Sequence, residues 1–140
     1  MLVKSITYKD YNGLERTENF YFNLTKSELI EMDAMIPGGM NNAYKMIMDG
    51  NDTAALMSTF KTIILKAYGV KSADGRRFQK SKEISEAFEQ SPAYDKLFME
   101  LITNDEKAML NFVRGIMPED MQKDAEAAEK QLLQSSSSAT

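Results

Sequence analysis

A tight turn between two alternating segments constrains the fold of this chain more than any other feature. Asn12 and Gly13 both tolerate a positive φ angle, and they lie between residues 2–8 and 15–22, where apolar and polar side chains alternate. The whole turn, residues 9–14, exceeds a two-residue loop, so we expect a longer or bulged connection. The pattern predicts a β-hairpin. Because two strands alone are marginally stable in water, helices must cover its apolar face.

The rest of the chain carries helix start and stop signals. Thr25 and Glu28 have capping-box spacing, and Leu24 and Leu29 have the spacing of a hydrophobic staple, so we predict a helix that ends before Pro37. Further helices are predicted over residues 42–49 and 52–69, and after Ser81, Ser91 and Thr103. The predicted fold class is therefore α+β and mostly helical, with the N-terminal β-hairpin packed on a bundle of about five to seven helices.

The longest predicted helix gives the clearest core prediction. It opens at Asp52 and closes at Gly69, and a polar segment with a turn signal at Asp74–Gly75 follows it over residues 70–80. Its apolar residues recur at helical spacing and define a buried face: Leu56, Phe60, Ile63, Ile64 and Ala67.

A length of 140 residues predicts one folded domain. We expect a single α+β domain over residues 1–120, a C-terminal helical extension over 121–134 and a disordered serine-rich tail over 135–140. The first residues lack the apolar run of a signal peptide, and no stretch reaches membrane-spanning length. We therefore expect a cytoplasmic protein with no membrane partner.

The composition excludes most catalytic chemistry. The chain has no cysteine and no histidine, so disulfides, thiolate or imidazole metal ligands, a cysteine nucleophile and a histidine base are all excluded. Two carboxylate pairs stand at helical spacing, Glu28 with Glu31 and Glu86 with Glu89, as exposed helix faces commonly carry. We predict a protein that is not an enzyme, with no catalytic residues, no cofactor and no metal.

A basic cluster follows the longest predicted helix. Between residues 66 and 82, six cations stand against the single acid Asp74, a net charge of +5 that leaves −9 for the rest of a chain whose total is −4. The cluster fits a docking site for an acidic protein surface or for nucleic-acid phosphates, or simply a solvated loop that offsets the acidic helices. Four of its members are candidate partner-binding residues: Lys71, Arg76, Arg77 and Lys80.

Methionine is abundant, with 11 residues in the chain. Six of them crowd one third of the sequence: Met32, Met35, Met40, Met46, Met48 and Met57. Flexible thioethers suit surfaces that adapt to irregular apolar partners, but they also fill ordinary cores. We take Met46 and Met57 as candidate partner-binding residues. If several of these methionines are exposed, an apolar groove becomes the better explanation.

Several stretches together resemble a known family. They are the hairpin with its Asn12–Gly13 turn and residues 20–29, 64–69, 74–78 and 94–101. In this order the chain resembles the tail assembly chaperones of long-tailed, siphovirus-type bacteriophages of Gram-positive hosts, over roughly residues 4–120. The resemblance rests on no catalytic motif, and the sequence from Gln122 departs from the family core.

The resemblance implies a non-catalytic helper of virion morphogenesis in the host bacterial cytoplasm, absent from the mature virion. Its implied partner is the tape measure protein, a long helical protein that the chaperone keeps soluble. A homo-oligomer and a frameshift-extended form of the same chain are further implied partners, and nucleic acid is not. The methionine-rich helices would supply apolar grooves, and the basic cluster would supply electrostatic selectivity.

Two other classes of function remain open from the residues. A small phage regulatory or nucleic-acid-binding protein would use the basic cluster, and its binding would depend on salt. A structural component of the virion tail would stay in the finished particle.

Overall fold

The computed structural model describes residues 1–50, 52–104, 106–122 and residue 130. In these ranges the structure is α+β and mostly helical, as predicted, and a further helical turn covers residues 119–122. The elements in chain order are β1 (Leu2–Lys9), β2 (Glu15–Phe22), α1 (Lys26–Met35), α2 (Gly39–Asp49), α3 (Thr53–Ala67), β3 (Tyr68–Lys71), β4 (Phe78–Gln79), α4 (Lys82–Glu89), α5 (Pro92–Thr103) and α6 (Glu106–Ile116). The predicted C-terminal extension and serine-rich tail lie outside the described residues, apart from residues 121, 122 and 130.

The predicted N-terminal hairpin is confirmed. β1 and β2 pair antiparallel along their whole length, from Leu2 opposite Phe22 to Lys9 opposite Glu15. The connection is longer than two residues, as expected, and the Asp10 carboxylate organises it by accepting hydrogen bonds from the N–H groups of Asn12 and Leu14. Ile6 and Phe22 are buried on the inner face, whereas Ser5 and Thr7 face outwards.

A second hairpin corrects the prediction for residues 68–80. The helix predicted to end at Gly69 ends at Ala67, and the segment predicted as a polar loop contains β4 and part of β3. β3 pairs with β2 through Tyr21 opposite Gly69, and with β4 through Val70 opposite Gln79, which completes a four-stranded sheet in the order β1-β2-β3-β4. β3 and β4 are so short that they depend on pairing with neighbouring strands, and the order of residues in the sequence does not reveal that pairing.

Helix α1 begins as predicted, whereas two other helix boundaries differ. Both hydrogen bonds of the Thr25–Glu28 capping box are present. Helix α2 begins at Gly39 rather than near residue 42, because the Asp33 carboxylate accepts a hydrogen bond from the Met40 N–H at 2.8 Å and so caps the first turn. Thr103 and Glu106 also have capping-box spacing in the sequence, but Thr103 is the last residue of α5, and its hydroxyl donates to the Met99 carbonyl oxygen.

The core lies between the inner face of the sheet and the helices. All five residues predicted for the buried face of α3 are buried. Phe112 of α6 joins the two layers, because its ring centroid lies 5.2 Å from that of Phe22 in β2 and 5.9 Å from that of Phe60 in α3. Such edge-to-face pairs add to the stability that burial alone provides. The packing fixes α1 and α2 side by side against the end of α6.

Candidate partner-binding surfaces

An apolar groove runs between α1, α2 and the residues that follow α6. We call it the α1–α2 groove; its volume is about 310 Å³, and it opens to solvent. Residues from the three segments line it: Leu29, Ile30, Asp33, Met40, Tyr44, Met117 and Met121. Ile30 is 71% exposed although it is a large apolar residue within a helix. Ile30 therefore adds an exposed apolar side chain to a groove whose other apolar lining is largely buried.

The floor of the groove is tightly held. Leu29, Met40 and Met117 are buried, and the buried hydroxyl of Tyr44 donates to the Met117 sulfur at 3.6 Å. This contact joins α2 to the chain beyond α6, 73 residues away. The groove therefore has a rigid floor beneath an exposed apolar wall.

Residues 117–122 form the second wall. The Met121 N–H donates to the Pro118 carbonyl oxygen at 2.9 Å, and the Gln122 amide donates to the Met117 carbonyl oxygen at 3.2 Å. An ion pair between Lys26 at the start of α1 and Asp120 ties this wall to the opposite side. Both of these side chains are well exposed, so the pair contributes little stability in water.

The methionines of the groove are not the ones that the sequence singled out. Met46 and Met57 are half-buried and pack on the core, outside the groove lining. The groove uses Met40, which belongs to the methionine-rich third, and Met117 and Met121, which do not. One signal was available in the sequence: Ile30 falls outside the stripe of apolar residues that α1 buries.

The basic cluster forms the second hairpin and the start of α4. Arg76 and Arg77 are exposed at the hairpin tip, beyond the turn at Gly75, where φ is +74°. The Asp74 carboxylate accepts hydrogen bonds from the Ser72 hydroxyl at 2.7 Å and from the Arg76 N–H at 3.0 Å. The hydrogen bonds from the Arg76 N–H and the Ser72 hydroxyl lower the pKa of Asp74. This acid therefore shapes the turn and forms no salt bridge with either arginine.

Lys80 does not join the arginines on the surface. Its ammonium group donates to the Asn23 carbonyl oxygen and to Glu28 Oε2, both at 2.7 Å. Burial lowers the pKa of Lys80 despite the neighbouring carboxylate. Burial by itself would raise the pKa of Glu28, but the bonds from Lys80 and Thr25 outweigh it, so that pKa lies below its ordinary value. The contact between Lys80 and Glu28 joins the base of the second hairpin to α1.

Most of the remaining cations of the basic cluster have no acidic partner among the described residues. Lys71 lies 5.5 Å from the centroid of the Tyr21 ring, a cation–π distance. Among the described residues, no ion pair neutralises Lys66, Lys71, Arg76 or Arg77, whereas Lys82 reaches Glu86 only at 3.8 Å. Lys66, Lys80 and Lys82 also line a polar cleft of about 510 Å³ at the base of the hairpin. The surface around this cleft and the hairpin tip therefore attracts anionic groups.

Neither surface has the residues of a metal centre. Within the ranges that the structure describes, no group of three or more acidic residues is placed to hold a metal ion. No described helix is both long and apolar enough to cross a membrane. The two surfaces offer apolar contact and positive charge, which are means of binding a partner.

A family model described as phage tail assembly chaperone matches residues 1–139. The chain belongs to this family. No curated protein and no solved structure gives a significant match. Membership in the tail assembly chaperones assigns the chain a tail protein as partner and a role in assembly rather than catalysis. In the described residues, the α1–α2 groove and the second hairpin with its basic cluster are candidate surfaces for such a partner.

Proposed function

We propose that this chaperone binds the tape measure protein of its phage and keeps it soluble during tail morphogenesis. The observation that carries the proposal is the α1–α2 groove, an open apolar surface with Ile30 exposed along one wall. A long helical partner with bare apolar faces aggregates in water. A groove that covers such a face removes the apolar surface from water and blocks that aggregation.

The basic hairpin supplies the second part of the proposed contact. Arg76, Arg77 and Lys71 lie at the surface, and no acid among the described residues forms an ion pair with them, which favours acidic stretches of the partner. Exposed charge pairs are individually weak and screened by salt, and weak contacts suit a chaperone that must release its partner. We leave Lys80 out of this surface, because it is engaged with Glu28.

The proposal includes where and with what the chaperone acts. We place it in the host bacterial cytoplasm during assembly of a siphovirus-type tail in a Gram-positive host, and outside the mature virion. Self-association and pairing with a frameshift-extended form of the chain belong to the same proposal, since a chaperone that covers a long partner must act in many copies.

Co-expression tests the proposal directly. The tape measure protein from the same phage is produced alone, with this chaperone, or with an unrelated soluble protein of similar size. We expect the chaperone to raise the soluble yield and to co-purify with the tape measure protein. An unchanged yield with no co-purification would contradict the proposal. Mass spectrometry of purified particles separates a chaperone from a structural component, because the chaperone should be missing from them.

One observation favours a second candidate, nucleic-acid binding. The neutralising acids are missing around Lys66, Lys71, Arg76 and Arg77 in the described residues, and phosphates attract such cations. Retention of RNA or DNA in a gel shift at low salt, lost as salt rises, would support this candidate. The net charge of −4 disfavours binding to phosphates, and the open apolar groove favours a protein partner, so both support the chaperone.

A further inference from the structure

We infer that the α1–α2 groove takes an amphipathic helix whose apolar stripe is flanked by lysine or arginine, with one of these cations placed against Asp33. The inference rests on the proposed function, because it names the chemistry of the segments that the chaperone binds. Segments of a long partner with this pattern would bind the groove, and segments without it would not.

The lining of the groove requires a helical occupant. Its walls are α1, α2 and residues 117–121, and α1 is capped at both ends by its own hydrogen bonds. The Tyr44 hydroxyl is already bonded to Met117. An extended segment laid in the groove would bury N–H and C=O groups without partners, at about 1–3 kcal/mol each. A helix satisfies these groups within itself and presents only side chains.

The apolar lining selects for a stripe of side chains and not for one sequence. Met40, Met117 and Met121 are unbranched and adapt to different apolar shapes. A volume of about 310 Å³ is at the lower end of the range for ligand pockets, roughly 300–1,000 Å³. It therefore receives the anchor side chains of one helix face, and the helix itself lies above the rim.

Asp33 sets the charge of the partner. It is the one acidic or basic side chain among the described residues that line the groove. Its Oδ1 atom is fixed by the Met40 N–H at 2.8 Å, and Oδ2 accepts no hydrogen bond from the described residues. Lys26, the cation at the end of the groove, is engaged with Asp120. A helix that covers the groove removes water from this carboxylate, so a lysine or arginine beside the stripe is favoured and an acid is repelled.

Two model peptides test the inference with the full-length protein. Both are fluorescein-labelled helices of about 18 residues, or five turns, with one leucine stripe; lysines flank the stripe in one and glutamates in the other. Fluorescence anisotropy at low salt should show the lysine peptide binding about tenfold more tightly. Equal affinity of the two peptides, or no binding of either, would overturn the inference.

Three variants locate the binding. Ile30→Gln should weaken the lysine peptide about tenfold, whereas Met35→Gln, a matched change of an exposed residue of α1 outside the groove, should leave it unchanged. Asp33→Asn keeps an oxygen for the Met40 N–H but removes the charge. The ratio of the affinities for the two peptides should therefore fall towards 1. A preference that persists in Asp33→Asn, or equal effects of the two glutamine variants, would refute the assignment.

The tape measure protein separates this inference from the proposed function. If the tape measure protein still co-purifies fully with the Ile30→Gln variant, the groove is not its binding site, and the chaperone role stands. If the peptides rank as expected but the tape measure protein never co-purifies with wild type, the proposed function fails and the groove chemistry stands. If wild type binds neither peptide and Ile30→Gln converts a dimer to a monomer in gel filtration, the occupant is a second copy and the inference is overturned.

Discussion

The ammonium nitrogen of Lys80 lies 2.7 Å from the carboxylate oxygen Oε2 of Glu28, across 52 residues of sequence. Glu28 is also the third residue of α1 and completes the capping box by accepting a hydrogen bond from the Thr25 N–H at 2.9 Å. One carboxylate therefore caps α1 and fastens the second hairpin to it. Because α1 forms one wall of the α1–α2 groove, this ion pair joins the two candidate surfaces within the fold.

Replacing Lys80 by methionine should destabilise the protein. The variant removes the hydrogen bonds to the Asn23 carbonyl oxygen and to Glu28, and it leaves a partly buried carboxylate without its cation. The side chains of the pair are only 21% and 28% exposed, so we expect a loss of about 1–3 kcal/mol in the free energy of unfolding. Urea denaturation followed by circular dichroism measures it.

Lys82→Met is the matched control for this prediction. Its side chain is 87% exposed and reaches Glu86 only at 3.8 Å, so the variant should change the free energy of unfolding by less than about 0.5 kcal/mol. Equal losses of unfolding free energy in the two variants would mean that the partly buried Lys80–Glu28 pair stabilises the fold no more than an exposed pair does.

The same pair predicts how stability depends on pH. The pKa of Glu28 in the folded protein lies below its ordinary value of 4.5: burial would raise it, but the bonds from Lys80 and Thr25 overcome that effect. A lowered pKa means that the ionised form stabilises the fold above pH 4.5, and that this contribution is lost as the pH falls through the folded-state value. Wild type should therefore exceed Glu28→Gln in stability at pH 7, and the difference should shrink as the pH falls below 4.5.

Glutamine suits this comparison because it keeps an oxygen for the capping box and removes only the charge. Denaturation curves of both proteins at several pH values between 3 and 7 give the difference. A gap that stays constant over this range would show that the charge of Glu28 is not its source.

Local signals predicted most of the fold. The capping box at Thr25, the hairpin turn at Gly13 and the buried face of α3 depend on residues close in sequence, and all three are confirmed. The second hairpin was missed because glycine commonly follows the last residue of a helix, so Gly69 was predicted to mark the end of the preceding helix. In the structure Gly69 lies in β3 and pairs with Tyr21 of β2, a residue 48 positions earlier in the sequence.

Gly69 gives a prediction about the second hairpin. A Cβ atom at this position would lie 2.6 Å from the Phe78 ring, so Gly69→Ala must displace the ring that anchors β4. We expect the free energy of unfolding to fall by about 1–3 kcal/mol. In a Phe78→Ala background the clash is gone, and the same change should be neutral or slightly stabilising.

A double-mutant cycle of these two positions measures the coupling. Additive effects of Gly69→Ala and Phe78→Ala would contradict the packing of the ring on the glycine.

The candidate surfaces were harder to predict than the fold. The sequence indicated the charges of Arg76 and Arg77 but not that Lys80 is held by Glu28, since charge clusters carry no information about distant partners. It indicated that methionines matter, but the groove is assembled from α1, α2 and Met117, which only tertiary packing brings together. Met46 and Met57 have the right chemistry and lie outside that junction.

Reversing the charge of the hairpin tip should weaken binding to the tape measure protein. Arg76→Glu with Arg77→Glu places two acids where the proposed partner presents acidic stretches, and both positions are exposed, so folding should be unaffected. Surface plasmon resonance at low salt should show about a tenfold loss of affinity, most of it in the association rate, that shrinks as salt rises. The control is Lys45→Glu with Lys96→Glu, which makes the same change in net charge on exposed positions of α2 and α5. If the two double variants lose affinity equally, net charge is the cause; only a larger loss at the tip assigns the contact to the hairpin.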